Sequence, residues 1–155
     1  MRILKIVCMG VLIGSITSFC FAQEVERIAQ VSDLKGSAQV RLTGEQGWIF
    51  AEVGMILHQG DILKTEGNSF VILSIDGKEE TAIVEIEENS QLMISELVKD
   101  EERGSEKTLL DLAIGKILIK AKKIYSPESK FEVKTPTSVV AVRGTVFLVE
   151  VEALE

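Results

Sequence analysis

The chain has little of the side-chain chemistry on which enzymes and metal sites depend. Its 155 residues include two cysteines, two prolines and one histidine, and aromatic residues make up 5%. Both cysteines, Cys8 and Cys20, lie in the N-terminal segment, so the remainder has no thiol for a disulfide or a metal. His58 has no second histidine or cysteine to complete a transition-metal site. We therefore expect no metal and no cofactor, and a histidine that faces solvent or is satisfied by hydrogen bonds.

Catalytic motifs are missing as well. No serine lies in a Gly-x-Ser-x-Gly context, and no phosphate loop, calcium loop or dinucleotide fingerprint occurs. Neighbouring acidic residues occur at Glu79–Glu80, Glu87–Glu88 and Glu101–Glu102, but adjacent side chains on a strand point to opposite faces. Such pairs do not form a two-carboxylate glycosidase site by themselves. The sequence predicts a binding or structural domain and no enzyme; a hydrolase would need a site assembled from distant strands.

The N-terminal segment has the layout of a secretory signal peptide. Arg2 and Lys5 form a short basic start, an uncharged apolar run follows over residues 6–21, and Ala22 ends a small-residue exit before the polar Gln23. This layout predicts cleavage after Ala22, which defines residues 1–22 as the signal peptide. The mature domain, residues 23–155, would then lie in the periplasm or outside the cell.

Two alternatives to cleavage after Ala22 follow from the same segment. The first is an uncleaved membrane anchor, because the apolar run is close to the minimum length for spanning a bilayer, although Ser15, Thr17 and Ser18 weaken it. The second is lipid attachment at Cys20, but Phe19 stands where a lipidation site normally has a small residue. We favour cleavage over both.

Acidic residues outnumber basic ones along the chain. The whole sequence has a net charge of −7, from 17 basic and 24 acidic residues. Removing Arg2 and Lys5 with the leader leaves 15 basic residues (17 minus 2) against 24 acidic ones, a net charge of −9. Such a surface repels nucleic acid and anionic lipid headgroups, because proteins bind both through Lys and Arg. We expect neither nucleic acid nor an anionic membrane surface as a partner.

Most of the mature chain has the pattern of short strands separated by turns. Residues 34–42 alternate as a half-buried strand, and after a turn Trp48 and Phe50 continue the same apolar face. The pairs Asp76-Gly77 and Asn89-Ser90 mark turns between three further strands. Residues 99–107 are charged at seven of nine positions, which indicates a solvated hairpin.

Residues 108–124 fit two interpretations. Their apolar residues lie at helical spacing, yet they also form two alternating strands that pivot at Gly115. A glycine in mid-helix costs about 1 kcal/mol relative to alanine, which favours the strands. A chain of many short strands then implies an all-β sandwich, barrel or solenoid-like stack.

Three segments of the chain resemble the FecR domain. They are GDILKT at 60–65, GKILIK at 115–120 and, above all, FEVKTPTSVVAVRGTVFLVEV at 131–151. The most specific block is a Thr-Pro followed by a small apolar run into Val-Arg-Gly-Thr and an aromatic residue. The resemblance covers roughly residues 30–150, nearly the whole mature chain. Its signature residues, which we expect to be structural, are Gly60, Asp61, Thr65, Thr135, Pro136, Val142, Arg143, Gly144, Thr145 and Phe147.

The resemblance implies an extracytoplasmic all-β domain whose strands stack in a solenoid- or sandwich-like way, and it assigns residues 108–124 to strands. The best-known members are transmembrane regulators that relay an iron-siderophore signal from an outer-membrane receptor to a cytoplasmic sigma factor. From this sequence we expect neither a cytoplasmic domain before the hydrophobic segment nor a receptor-docking module after Glu150, which puts the relay role in doubt. We therefore expect a non-catalytic domain that binds a protein or a cell-envelope component. A membrane-anchored sensor of the iron-siderophore type is the alternative.

Arg143 is the unusual residue of the terminal block, because it interrupts an apolar run. A buried guanidinium must be paired, so an inward-pointing Arg143 would act as a structural peg, and Asp61 is the partner we predict for it. Alternatively, the side chain reaches a surface groove and binds an anionic ligand or a partner. We favour the peg.

Overall fold

The computed structural model describes residues 24–77 and 81–152. The predicted signal peptide, with its helix, lies outside the described residues. Within them, 60% of the residues are in strands and none is in an α-helix, so the all-β prediction is confirmed. No helix in this part of the chain is long and apolar enough to cross a membrane.

The described residues form a sheet of thirteen strands that curls into a half-barrel. The main path runs β4-β3-β6-β9-β10-β8-β7-β2-β5, while β1 pairs with β9, β11 with β10 and β12, and β13 with β10. In chain order the strands are β1 (Glu24–Glu26), β2 (Ala29–Lys35), β3 (Ala38–Arg41), β4 (Ile49–Phe50), β5 (Ile56–Leu57), β6 (Ile62–Thr65), β7 (Phe70–Ile75), β8 (Ala82–Ile86), β9 (Gln91–Asp100), β10 (Ser105–Ala121), β11 (Lys130–Lys134), β12 (Val139–Val142) and β13 (Val146–Val151).

β10 is the strand on which the sheet turns. Residues 105–114 pair with β9 and, over part of that length, with β11, whereas residues 115–121 pair with β8 and β13. At the change of partners Gly115 has φ +99°, and a Cβ there would lie 2.4 Å from Ser90 Cα. The predicted strands and their pivot are confirmed, but the two predicted strands are one continuous strand.

A second glycine corner separates β2 from β3. The predicted single strand over residues 34–42 is wrong, because Gly36 has φ +81° and a Cβ there would meet Ser69 Oγ at 2.3 Å. β2 therefore pairs with β7, whereas β3 pairs with β6. The two corners are built alike: Ser69 Oγ accepts the Ser37 N–H at 2.8 Å, and Ser90 Oγ accepts the Lys116 N–H at 3.0 Å.

One apolar core lies between the two arms of the curled sheet. The first arm contains β3, β6, β9 and residues 105–114 of β10, and the second contains β2, β7, β8 and residues 115–121 of β10. Both arms contribute fully buried residues, among them Val31, Leu73, Val84, Leu92, Leu110 and Ile119.

The predicted hairpins are confirmed at Asp76-Gly77, where φ is positive at both residues, and between β9 and β10. The apolar face predicted for Trp48 and Phe50 is wrong, since they are 38% and 68% exposed. Trp48 instead stacks under the Arg41 guanidinium, which lies 5.2 Å from the ring centre.

Candidate functional site

The Thr-Pro of the terminal block lies in the turn between β11 and β12. The Thr135 N–H donates to the Ser138 carbonyl at 2.8 Å, and the Ser138 N–H donates to Thr135 Oγ1 at 3.0 Å. Pro136 occupies a turn position that needs no N–H, and its ring fixes φ for the turn. The sequence placed Pro136 at a strand entrance, and β12 begins three residues later at Val139. The turn thereby sets where β12 starts.

Gly144 brings the chain close to the segment that follows β10. Its φ is +80°, and a Cβ would lie 2.4 Å from Lys123 Cα, so the predicted close backbone approach is confirmed. On either side of it, Val142 is buried and Phe147 packs against the core. The terminal block therefore forms two strands, β12 and β13, joined by a tight connection.

β12 and β13 flank an open groove of about 860 Å³. The groove also receives the end of the first segment of β10 and the Thr135–Ser138 turn. Its apolar lining remains partly accessible to solvent: Ile114 is 37% exposed, Val140 38% and Leu148 51%. Contiguous exposed apolar surface of this kind marks binding sites more often than an isolated exposed side chain does. We therefore take the groove as the candidate functional site.

Both strands beside the groove are edge strands. Among the described residues, β12 pairs only with β11 and β13 pairs only with β10. Each strand consequently has backbone N–H and C=O groups along one side without a strand partner. Natural edge strands are commonly protected by Lys, Pro or a bulge. β12 holds only Val and Ala, and β13 holds the single charged residue Glu150.

The charged residues that line the groove are acidic. Glu150 and Glu152 both line it, and none of its described lining residues is Lys, Arg or His. Both carboxylates are exposed. A ligand with an anionic group would be repelled here, whereas an apolar ligand with a basic group would be attracted.

Arg143 lies near this groove in sequence but does not act as a peg. Its side chain is exposed, and it makes no hydrogen bond or ion pair with any residue in the described ranges. Beside it, the Thr145 carbonyl accepts the Ala121 N–H at 3.2 Å, which holds the connection to β10. The predicted inward orientation of Arg143 is wrong. A role at the surface, the alternative considered from sequence, stays a prediction.

Asp61 has partners other than Arg143. It is 3% exposed, and its Oδ1 accepts the Thr43 N–H at 2.8 Å and the Thr43 hydroxyl at 3.1 Å. Its Oδ2 accepts the His58 N–H at 2.8 Å. The carboxylate thus ties two turns together, so the predicted Asp61–Arg143 pair is wrong. The His58 side chain itself is exposed, as the sequence indicates.

Gly60 and Thr65 belong to the same packed region. Gly60 has φ +91°, and a Cβ there would meet Thr43 Oγ1 at 2.3 Å. The Thr65 hydroxyl donates to the Glu87 carbonyl at 2.6 Å and accepts the Ser90 N–H at 3.0 Å. These signature residues hold loops together and lie outside the groove.

The buried arginine of the structure is Arg27, which no sequence motif singled out. It is 8% exposed, and its Nε donates to Asp76 Oδ1 at 2.8 Å while Nη2 donates to Asp76 Oδ2. Nη1 donates to the Thr108 hydroxyl and Nη2 to the Thr81 hydroxyl, each at 2.9 Å. A bidentate pair with two further hydrogen bonds satisfies a buried guanidinium.

A smaller cavity of about 210 Å³ lies beside Arg27. Lys122, Lys123 and Lys130 are among its lining residues, as is Glu106, whose carboxylate is 3.6 Å from Arg27 Nη2. The Arg27 donors are already taken up by the Asp76 pair and the two threonines. The Arg27 guanidinium is therefore not free to hold a ligand in this cavity.

No metal centre emerges from the described residues. Within residues 24–77 and 81–152, no group of three or more His, Cys, Asp or Glu side chains is placed to hold a metal ion. Among the residues that the structure describes, Lys107 is the one whose pKa departs clearly from its usual value. The Lys107 amine donates a hydrogen bond to Glu24 Oε1 at 3.2 Å, and this bond, together with the charges of Glu24 and Glu96, raises the pKa of the amine. This group lies at the β1–β10 contact and outside the groove.

Comparison with known proteins identifies one family. The family model described as FecR protein matches residues 61–154 of the chain. No curated protein and no solved structure matches it significantly. The matched part runs from β6 to the end of β13 and includes both strands that flank the groove.

Proposed function

This chain belongs to the FecR protein family, and from that premise we propose that it is a non-catalytic, extracytoplasmic binding domain. The partner is a protein or another cell-envelope component, and the binding site is the groove between β12 and β13. Membership of the family indicates a domain related to signalling and regulation. A binding role fits that setting because a signal must be received through a contact.

The observation that carries the proposal is the uncovered apolar surface of the groove. Val140 and Leu148 are 38% and 51% exposed and so lie outside the core, whereas Val142 and Val149 on the same two strands are buried. Covering apolar surface contributes about 25 cal/mol per Å² before the costs of association. A partner that fills the groove therefore gains affinity from surface that the isolated domain leaves in water.

The extracytoplasmic location is supported by the N-terminal segment. Its basic start, apolar run over residues 6–21 and small-residue exit at Ala22 are typical of an export signal. The absence of cysteine after Cys20 suits an oxidising compartment, because no thiol is left to oxidise.

A membrane-anchored sensor is the second candidate function, and the length of the same apolar run favours it. The mass of the purified chain separates the two candidates. A protein that begins at Gln23 supports a released domain, whereas an intact N-terminus recovered only from the membrane fraction supports the sensor.

Photo-crosslinking in intact cells tests the proposed binding site. A benzophenone amino acid placed at Val140 or Leu148 should give a discrete adduct with another envelope molecule after irradiation. Val53 is the matched control, since it is apolar and 61% exposed but does not line the groove. Adducts formed equally well from Val53, or none from the groove positions, would contradict the proposal.

A further inference from the structure

We propose that the groove receives an extended segment of a partner protein, which adds as a strand to the free edge of β13. The segment carries apolar residues at successive positions and a Lys or Arg at the end that lies by Glu150 and Glu152. This inference rests on the proposed function, because it names the kind of partner that the groove binds.

The backbone of β13 supplies the first argument. Its six residues pair with β10 in an antiparallel register from Gly115↔Val151 to Lys120↔Val146. That pairing uses one side of β13, and no described strand occupies the other side. A peptide that adds to such an edge gains a ladder of backbone hydrogen bonds, with side-chain pockets for specificity. β12 has four residues and offers a shorter ladder.

The side chains of β13 define what an added strand must look like. Phe147, Val149 and Val151 face the core side, while Val146 and Leu148 face outward and are 62% and 51% exposed. An added strand continues the same two faces. Its inward residues would lie beside Val149 and Val151, and its outward residues would lie beside Val146 and Leu148. The segment must therefore be apolar on both faces, unlike a typical surface strand.

The charges of the groove select among occupants of this shape. Glu150 and Glu152 are the only charged residues in the described part of its lining, so a basic residue on the segment is favoured and an acidic one is repelled. A second copy of this chain would bring the same two carboxylates and the same acidic surface to the contact. An anionic lipid headgroup would also meet them. Charge complementarity therefore points to a basic, apolar segment of a different protein.

A display selection followed by chemical modification of the backbone tests the proposal. The chain is expressed from Met1 and purified in the form that the cell produces, then used to select from a library of random twelve-residue peptides. We expect the enriched peptides to contain a run of at least four apolar or β-branched residues next to a Lys or Arg. Leu148→Asp should abolish their binding.

N-methylation of the selected peptide then reports the strand geometry. Methyl groups on one alternate set of backbone nitrogens should lower affinity at least about tenfold, because those N–H groups bond to β13. Methyl groups on the other alternate set should be tolerated, because those nitrogens face away from it. Equal tolerance of both sets, or equal loss from both, would overturn strand addition.

Charge reversal tests the orientation and the choice of partner. Glu150→Lys combined with Glu152→Lys should weaken a lysine-bearing peptide about five- to tenfold and strengthen its glutamate-bearing counterpart. Glu45→Lys is the control, since Glu45 is exposed in a turn away from the groove and should leave both affinities unchanged. No exchange of preference in the double variant would contradict the assigned end.

Other occupants give distinct results. Concentration-dependent dimerisation that Leu148→Asp abolishes would assign the edge to a second copy, and binding to neutral lipid vesicles that the same variant abolishes would assign the groove to acyl chains. Either outcome overturns the proposal. Groove-specific crosslinks without the alternate N-methyl pattern would refute strand addition and leave the proposed function intact, whereas absent crosslinks would refute that function itself.

Discussion

At the scale of single residues, the buried and paired arginine is Arg27 and not Arg143, for which the sequence predicted that role. Arg143 has the more distinctive sequence context, yet it is exposed and unpaired among the described residues. Arg27 follows an unremarkable acidic stretch, yet it is buried and bound by Asp76, Thr81 and Thr108. Whether a charged side chain is buried depends on partners from distant parts of the chain. The partner of Arg27, Asp76, lies 49 residues away in sequence. Local pattern cannot specify such a partner.

Substitution of the two arginines should separate these roles. Arg27→Met leaves the largely buried Asp76 carboxylate, whose side chain is 13% exposed, without its cationic partner and should lower the free energy of unfolding by about 3–5 kcal/mol. Arg143→Met, the matched control, should change it by less than about 0.5 kcal/mol, as is usual for exposed positions. Urea unfolding at neutral pH measures both. A larger loss from Arg143→Met than from Arg27→Met would restore the peg interpretation.

The candidate site was only partly predictable from residue patterns. The Thr-Pro and Val-Arg-Gly-Thr block correctly marked the region of β12 and β13, because unusual residues such as Pro136 and Gly144 fit few backbone geometries. The groove itself was not predicted. Alternation places Val140 and Leu148 on strand faces, but exposure depends on whether another strand lies beside them, and that is a property of the sheet order.

At the scale of elements, two glycine corners give the sheet its curl. Gly36 and Gly115 both have positive φ, and each lies against a serine that follows an asparagine with positive φ. Asn68-Ser69 and Asn89-Ser90 are thus equivalent pieces of the structure. Period-two patterning predicted most of the strands and hairpins. It did not predict the corners, because alternation continues through a glycine whether or not the strand changes partners there.

A pair of alanine substitutions isolates the crowding at a corner. Gly44→Ala imposes only the cost of a positive φ, since its φ is +82° and nothing lies within 4 Å of the added Cβ. We expect a loss of about 1–2 kcal/mol there. Gly115→Ala has the same backbone cost plus contact with Ser90, and should lose about 1–3 kcal/mol more. Thermal unfolding of both variants gives the difference, and equal losses would show that the corner relaxes freely.

At the scale of the whole molecule, the half-barrel is packed unevenly. β7 lies between β2 and β8, and Val71 and Leu73 on it are fully buried. Of the strands in residues 24–77 and 81–152, only β11 neighbours β12, and Val139 is 61% exposed. Stability in such a sheet should fall toward the edge strands that flank the groove. The region proposed to bind a partner is then also the region that opens most easily.

Hydrogen exchange read by mass spectrometry should reveal this gradient. We expect amides of β12 to exchange through local opening, well before those of β7, whose exchange should require global unfolding. The reason is that β12 is held by one strand and little buried apolar surface, whereas β7 is held on both sides. A peptide selected on the groove should slow exchange along β13, because it would supply the missing strand, and leave β7 unchanged. Uniform protection across β7 and β12 in the free protein would mean that the edge is as stable as the core. The uncovered apolar surface would then carry no cost in local stability.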